Sequence, residues 1–126
     1  MLKIYEQDLL KGKNINHIIH VVNEQIAEAN RLLLKYNVDH VGALAGQLYY
    51  TNTLENEVDA WRKAVDAMFT EIFDGQHSSV MFDFDNEKGD ERYSKFSGLL
   101  DVIRKRQNVL ATFRDDLEKM EKEINQ

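Results

Sequence analysis

The stretch FSGLLDVIRKRQNVLATFRDDLEKMEKEI, residues 96 to 124, has the most regular apolar spacing in the sequence. Its apolar residues recur at intervals of seven, with three more between them: Phe96, Ile103, Leu110, Leu117 and Ile124, then Leu99, Phe113 and Met120. This spacing predicts a long amphipathic helix that begins at about Asp90 or Ser94 and ends at Glu123. We call this row of apolar residues the apolar seam. Arg106 interrupts it, and we expect its side chain to reach solvent or to pair with an acid. Because such a helix offers more apolar surface than one short helix covers, we expect a homo-oligomer, a dimer, through it.

Two further long helices are predicted earlier in the chain. Apolar residues recur every three or four positions from residue 15 to residue 36, after Asn14 as a candidate N-cap. The same periodicity runs from Leu54 to Ile72, and Asp74-Gly75 is typical of a helix C-terminus.

The remaining segments are shorter. Residues 38 to 50, with Gly42 and Gly46, favour a short helix, and residues 76 to 91 are expected to form an acidic-aromatic loop. Only LKIY, residues 2 to 5, suggests a strand. The predicted fold is therefore all-α: a small bundle of three long helices plus one short helix, with the acidic-aromatic loop before the last helix, in one domain of residues 1–126.

Composition excludes several classes of function. The 126 residues contain no cysteine, so disulfides, cysteine-ligated zinc and thiol catalysis are ruled out. No apolar window approaches the roughly 18 residues of a membrane span or resembles a signal peptide, so we expect a cytoplasmic protein with no membrane partner. The net charge of −6 disfavours nucleic acid as a partner, although Arg104, Lys105 and Arg106 form a basic cluster.

The strongest local charge lies in one segment. Residues 74 to 91 hold six acidic residues and one basic residue, and a basic partner surface would complement them. We expect Trp61, Phe69 and Phe96 to lie in the core, because they fit the helix registers. The predicted partner-binding residues combine acids with aromatic anchors: Tyr49, Tyr50, Phe82, Asp83, Phe84, Asp85, Glu87, Asp90 and Glu91.

Metal and catalytic motifs are weak. His17, His20 and Glu24 share one helix face, but they lack the HExxH pattern, and a solvated face is favoured. FDFDNEKGDE, residues 82 to 91, lacks glycine at the sixth position of a calcium loop. Glu55 and Asp59 could belong to a magnesium-dependent nucleotide hydrolase, although their spacing does not match a paired-acid motif. We therefore predict no cofactor and no enzymatic activity.

One segment carries a family resemblance. AWRKAVDAMFTEIFDGQHSSVMFDFDNEKGDERYSKFSGLLDVI resembles the small tail assembly chaperones of phages and prophages of Gram-positive bacteria. The matching residues are an aromatic doublet before a glycine turn, a serine link, an aliphatic-Phe pair and an Asn: Phe69, Ile72, Phe73, Gly75, Ser78, Ser79, Met81, Phe82 and Asn86. The resemblance implies a non-catalytic protein that binds tape-measure or tail-tube subunits in the host cytoplasm.

A second interaction hypothesis stays open beside the chaperone. The chain could be an inhibitor, encoded by a phage or mobile element, that binds a host defence or replication enzyme, with the acidic loop mimicking nucleic acid. The salt dependence of partner affinity distinguishes the two hypotheses. A nucleic-acid mimic loses affinity steeply as ionic strength rises, and an apolar contact does not.

Overall fold

A computed structural model describes residues 2–36 and 48–124, and these residues form an all-helical protein. The two described segments contain five helices and no strand. The helices are α1 (Ile4–Leu10), α2 (Ile15–Lys35), α3 (Leu48–Ile72), α4 (Ser79–Asp85) and α5 (Lys95–Ile124). None of them combines the length and the apolarity needed to cross a membrane.

The fold class and the three long helices are confirmed, while two local predictions are wrong. LKIY is not a strand, because helix α1 begins at Ile4 and the backbone N–H of Lys3 donates to the Glu6 carboxylate at its start. The acidic-aromatic loop is partly helical, since α4 lies inside it. The short helix predicted over residues 38 to 50 lies mostly outside the described residues, and its last residues belong to the first turn of α3.

Helix α5 is the centre of the bundle and packs mainly against α2. The side-chain oxygen of Asn14 accepts a hydrogen bond from the backbone of His17 at 3.1 Å and caps α2, as predicted. The apolar face of α2 then covers the seam of α5, whose residues are fully or nearly buried at Phe96, Ile103, Leu110 and Leu117. The surface on which the expected dimer depended is therefore already covered within one chain, and only Ile124 stays exposed.

Aromatic rings fill the space between α3, α4 and α5. Trp61 and Phe69 of α3 meet the ring of Phe84 from α4 at centroid distances of 5.3 and 6.0 Å, both edge-on. Phe69 also meets Phe113 of α5 at 5.6 Å. The predicted core positions Trp61, Phe69 and Phe96 are all buried. These edge-to-face contacts fix α4 against the two long helices.

Helix α3 ends where the sequence predicts. Asp74 and Gly75 both have a positive φ, of 55° and 77°, and the N–H of Gly75 donates to the carbonyl of Thr70 at 2.8 Å. Such a left-handed turn closes a helix and favours glycine. The turn therefore ends α3, and residues 73–78 separate it from α4, which begins at Ser79.

Two glycines let the segment after α4 lie directly on α5. A Cβ added to Gly89 would stand 1.8 Å from the carbonyl oxygen of Gly98, so only glycine fits at that position. The carboxylate of Asp101 accepts a hydrogen bond from the N–H of Asp90 at 2.7 Å and holds the same segment.

Candidate partner-binding surface

The outward side of α4 carries an exposed aromatic residue beside an acid. The side chain of Phe82 is 57% exposed, and Asp83 and Asn86 are exposed next to it. The imidazole of His77 stacks edge-on against Phe82 at 6.5 Å, and the hydroxyl of Tyr5 donates to the carbonyl of His77 at 3.3 Å. We call these five residues, Tyr5, His77, Phe82, Asp83 and Asn86, the α4 outer face.

A buried glutamate positions this face. Glu6 of α1 is fully buried, and its carboxylate accepts hydrogen bonds from the hydroxyl and the N–H of Ser79, at 2.6 and 3.0 Å. The hydroxyl of Ser78 also donates to it at 3.3 Å. Ser78 in turn accepts from the N–H of Met81 and caps α4. Burial alone would raise the pKa of Glu6, but these hydrogen bonds outweigh burial and hold the pKa below its usual value.

A groove runs between α4 and α5 beside the outer face, with a volume of about 540 Å³. Asp83 and Glu87 line it from α4 and the following segment, and Asp116 lines it from α5. Among the described lining residues Lys105 is the one lysine, and it pairs with Asp101 at 3.2 Å and donates to the carbonyl of Lys88 at 2.9 Å. The groove is therefore acidic, as the sequence predicts for this segment.

The structure contradicts one predicted contact residue. Phe84 is fully buried, because residues two apart on a helix point to nearly opposite sides and Phe82 already faces outward. Asp85 is half-buried, and one of its carboxylate oxygens has no hydrogen-bond partner among residues 2–36 and 48–124. Deleting this segment would remove the buried Phe84 from the core. Partner binding by this segment is therefore tested with single substitutions of exposed residues.

The other predicted contact residues are spread over different places. Tyr50 is half-buried and packs against the core, whereas the side chain of Tyr49 lies outside the described part of the structure. Asp90 pairs with Arg92 at 2.7 Å, which holds the pKa of Asp90 below its usual value. Glu91 is exposed. Of the predicted set, Asp83 and Glu87 line the groove, and Phe82 and Asp85 line the adjoining depression; Asn86 lines both.

A charged cluster that the sequence pattern does not indicate lies behind α4. Arg106, only 8% exposed, donates through Nε to the carbonyl of Phe84 at 3.1 Å and lies over its ring at 5.3 Å. Asp66 pairs with Arg62 at 3.1 Å and faces Asp85. Burial, followed by the hydrogen bond and the charge of Asp85, raises the pKa of Asp66 to about 6. Arg106 therefore secures α4 from inside and does not reach solvent.

The metal and catalytic candidates are engaged in ordinary ion pairs. His20 and Glu24 pair with each other at 2.9 Å on an exposed face, as the solvated-face interpretation predicts. Glu55 pairs with Lys95, and Asp59 pairs with Lys63 at 3.0 Å. Within residues 2–36 and 48–124, no group of three or more His, Asp or Glu residues has the arrangement of a metal site.

Comparison with known proteins finds no match: no family model, no curated protein and no solved structure is significantly similar to this chain.

Proposed function

We propose that this chain is a non-enzymatic helical protein that binds another protein through the α4 outer face. One observation carries the proposal: Phe82 is 57% exposed on a helix whose neighbouring residues Val80 and Phe84 are buried. The core fixes the backbone of α4, and the imidazole of His77 lies edge-on against the Phe82 ring. An aromatic side chain has only two rotatable bonds to order when a partner covers it.

The partner class we favour is a structural protein of a phage tail. The proposal rests on the resemblance of this segment to tail assembly chaperones, together with the apolar character of the contact. A chaperone of this kind covers apolar surface on a tape-measure or tail-tube subunit until assembly, in the cytoplasm of the host. Burial of the Phe82 ring supplies an attraction that depends little on ionic strength.

A second candidate function is favoured by the acidic groove between α4 and α5. Asp83, Glu87 and Asp116 line it, and Lys105, the one lysine that the described part of the chain contributes, is itself paired. An inhibitor that presents these acids to the basic site of a host enzyme would bind by charge complementarity. Its affinity would fall steeply as salt rises, because exposed charges are screened over about 8 Å at physiological ionic strength.

Affinity capture from a phage lysate and from host extract, at low and at high salt, tests the proposal. We expect wild-type protein to retain one specific partner and Phe82→Ala to lose it. Tyr93→Ala is the matched control, because Tyr93 is an 86% exposed aromatic residue outside the α4 outer face.

The outcomes separate the candidates. A salt-resistant tail protein supports the chaperone, and a salt-sensitive host enzyme that is lost with Asp83→Lys supports the inhibitor. Equal capture by Phe82→Ala and wild-type protein contradicts the contact surface itself.

A further inference from the structure

Two carboxyl groups meet where α4 lies against α3. Asp66 of α3 and Asp85 of α4 are both half-buried, and their carboxyl groups lie within hydrogen-bonding distance of each other. One oxygen of each group is buried and has no hydrogen-bond donor among residues 2–36 and 48–124. Ionised carboxylates can only accept hydrogen bonds, so neither group can satisfy the other unless one of them carries a proton.

The charged groups around this pair come from α3, α5 and the segment after α4. Arg62 of α3 donates to the other oxygen of Asp66 at 3.1 Å. Arg106 of α5 donates through Nε to the carbonyl of Phe84, and its charge also acts on Asp66. Glu87 adds a negative charge near Arg106. The two arginines therefore balance part of the charge of the pair, while the buried oxygen of each carboxyl group still lacks a donor within the described residues.

A proton held between the two carboxyl groups supplies the missing donor. Burial, followed by the hydrogen bond and the charge of Asp85, raises the pKa of Asp66 to about 6. Below that pH the protonated carboxyl of Asp66 donates to Asp85, and one hydrogen bond joins α3 to α4. Above it, two negative charges face each other across the contact between the helices.

Helix α4 is the element that depends most on such side-chain attachments. It has seven residues, too few for a stable isolated helix, whereas α3 has 25. Glu6 holds its N-terminus, and Asp85 is its last residue. The hydrogen bond from the N–H of Asn86 to the carbonyl of Phe82, 3.0 Å long, closes that last turn. The contact with Asp66 therefore acts at the end of α4 that Glu6 does not reach.

We propose that Asp66 and Asp85 form a proton-controlled attachment of α4 to α3, which is closed when they share a proton and weakened when both are ionised. Asp85 lines the same depression as Phe82, so the attachment lies beside the α4 outer face. The inference goes beyond the proposed function, because it concerns the protein alone and holds whether or not a partner covers Phe82.

Native-state hydrogen exchange of the full chain, followed by NMR from pH 5 to pH 7.5, tests the proposal. Protection factors are compared, because they correct for the increase of the intrinsic exchange rate with pH. If the pKa of Asp66 returns from about 6 to its ordinary 3.8 when α4 opens, the protection of the α4 amides should fall about tenfold over this range. The α4 amides should also be less protected than those of α5, since α4 opens locally.

Matched variants identify the group that titrates. In Asp66→Asn a side-chain amide donates to Asp85 at every pH, so the protection of α4 should be nearly independent of pH. Asp59→Asn is the control on the same helix, because Asp59 pairs with Arg62 at the same 3.1 Å as Asp66, and it should show the wild-type decrease. His77 contacts α4 in all three proteins, so its contribution is common to them.

A reciprocal variant guards against misfolding of the first. Asp85→Asn supplies the same amide donor from α4 and should also remove the pH dependence, and circular dichroism verifies that each variant is folded. The pH range lies above the titration of Glu6, whose pKa the fold lowers, so the other attachment of α4 stays ionised throughout.

Three results would overturn the proposal: protection of the wild-type α4 amides that does not change with pH, an equal decrease in wild type and Asp66→Asn, or equal protection of α4 and α5 at every pH. The last result would mean that α4 opens only when the whole protein unfolds. None of these measurements involves a partner, so failure here and failure of the α4 outer face remain distinguishable.

Discussion

Glu6→Ala is expected to destabilise the protein strongly and to release the N-terminus of α4. The substitution removes the acceptor for four hydrogen bonds, from Lys3 N–H, Ser78 Oγ, Ser79 N–H and Ser79 Oγ. Hydrogen bonds to a charged group are worth about 1.5–3 kcal/mol each, but they are not additive, and removing the carboxylate also relieves its desolvation. We therefore expect the free energy of unfolding to fall by about 2 to 4 kcal/mol.

Urea unfolding followed by circular dichroism measures this change. Asp8→Ala is the control on the same helix, because Asp8 is exposed and forms only a surface ion pair with Lys11, worth less than about 1 kcal/mol. Hydrogen exchange should show faster exchange at the amides of α4 in Glu6→Ala and not in Asp8→Ala.

The pH dependence gives a second check. Because the folded state holds the pKa of Glu6 below that of the unfolded chain, the stabilisation is present above the unfolded pKa of about 4.3 and is lost as pH falls through the folded pKa. The difference in free energy of unfolding between wild type and Glu6→Ala should therefore become smaller at acidic pH. If Glu6→Ala lowered the free energy of unfolding by less than about 0.5 kcal/mol at neutral pH, water would be replacing the carboxylate at no cost, and Glu6 would not hold α4.

Two further changes test other parts of the account. Gly89→Ala should lower the free energy of unfolding by about 1 to 3 kcal/mol, because its methyl group would meet the carbonyl of Gly98, and a thermal midpoint equal to that of wild type would contradict this close approach. The free energy of unfolding should decrease as pH rises from 5 to 7.5. Burial and Asp85 raise the pKa of Asp66 to about 6, above its value in the unfolded chain. The stabilisation from the protonated carboxyl is therefore lost as pH rises through that pKa. In Asp66→Asn the free energy of unfolding, measured by urea titration at each pH, should depend less on pH over this range. The same pH dependence in Asp66→Asn and wild type would show that Asp66 does not titrate there.

The three long helices could be predicted because their apolar residues repeat over many turns. The apolar residues of α5 recur at intervals of seven, and those of its partner α2 recur at intervals of three and four. Both apolar faces can therefore be identified from the sequence alone. The apolar spacing of α5 does not indicate whether another helix of the same chain or a second copy covers that face. Burial of Leu110 and Leu117 against the same chain removed the basis for expecting a dimer through α5.

Helix α4 could not be predicted because its stability comes from distant residues. It has only seven residues, and its N-terminus is held by Glu6, which precedes Ser78 by 72 positions. Isolated helices of this length are unstable in water, so no local pattern identifies it. The sequence pattern predicts both Phe82 and Phe84 as partner-binding residues, whereas the helix turns Phe82 outward and Phe84 into the core.

Photo-crosslinking from position 82 shows directly whether a partner covers the α4 outer face. A photoreactive phenylalanine analogue replaces Phe82 in the full chain, and a second protein carries it in place of Tyr93, which is equally aromatic and more exposed. Both are irradiated in phage lysate and host extract, and the products are identified by mass spectrometry. We predict one specific partner crosslinked from position 82 and not from position 93, whereas identical products from both positions, or none from position 82, would contradict a partner-binding role for the α4 outer face.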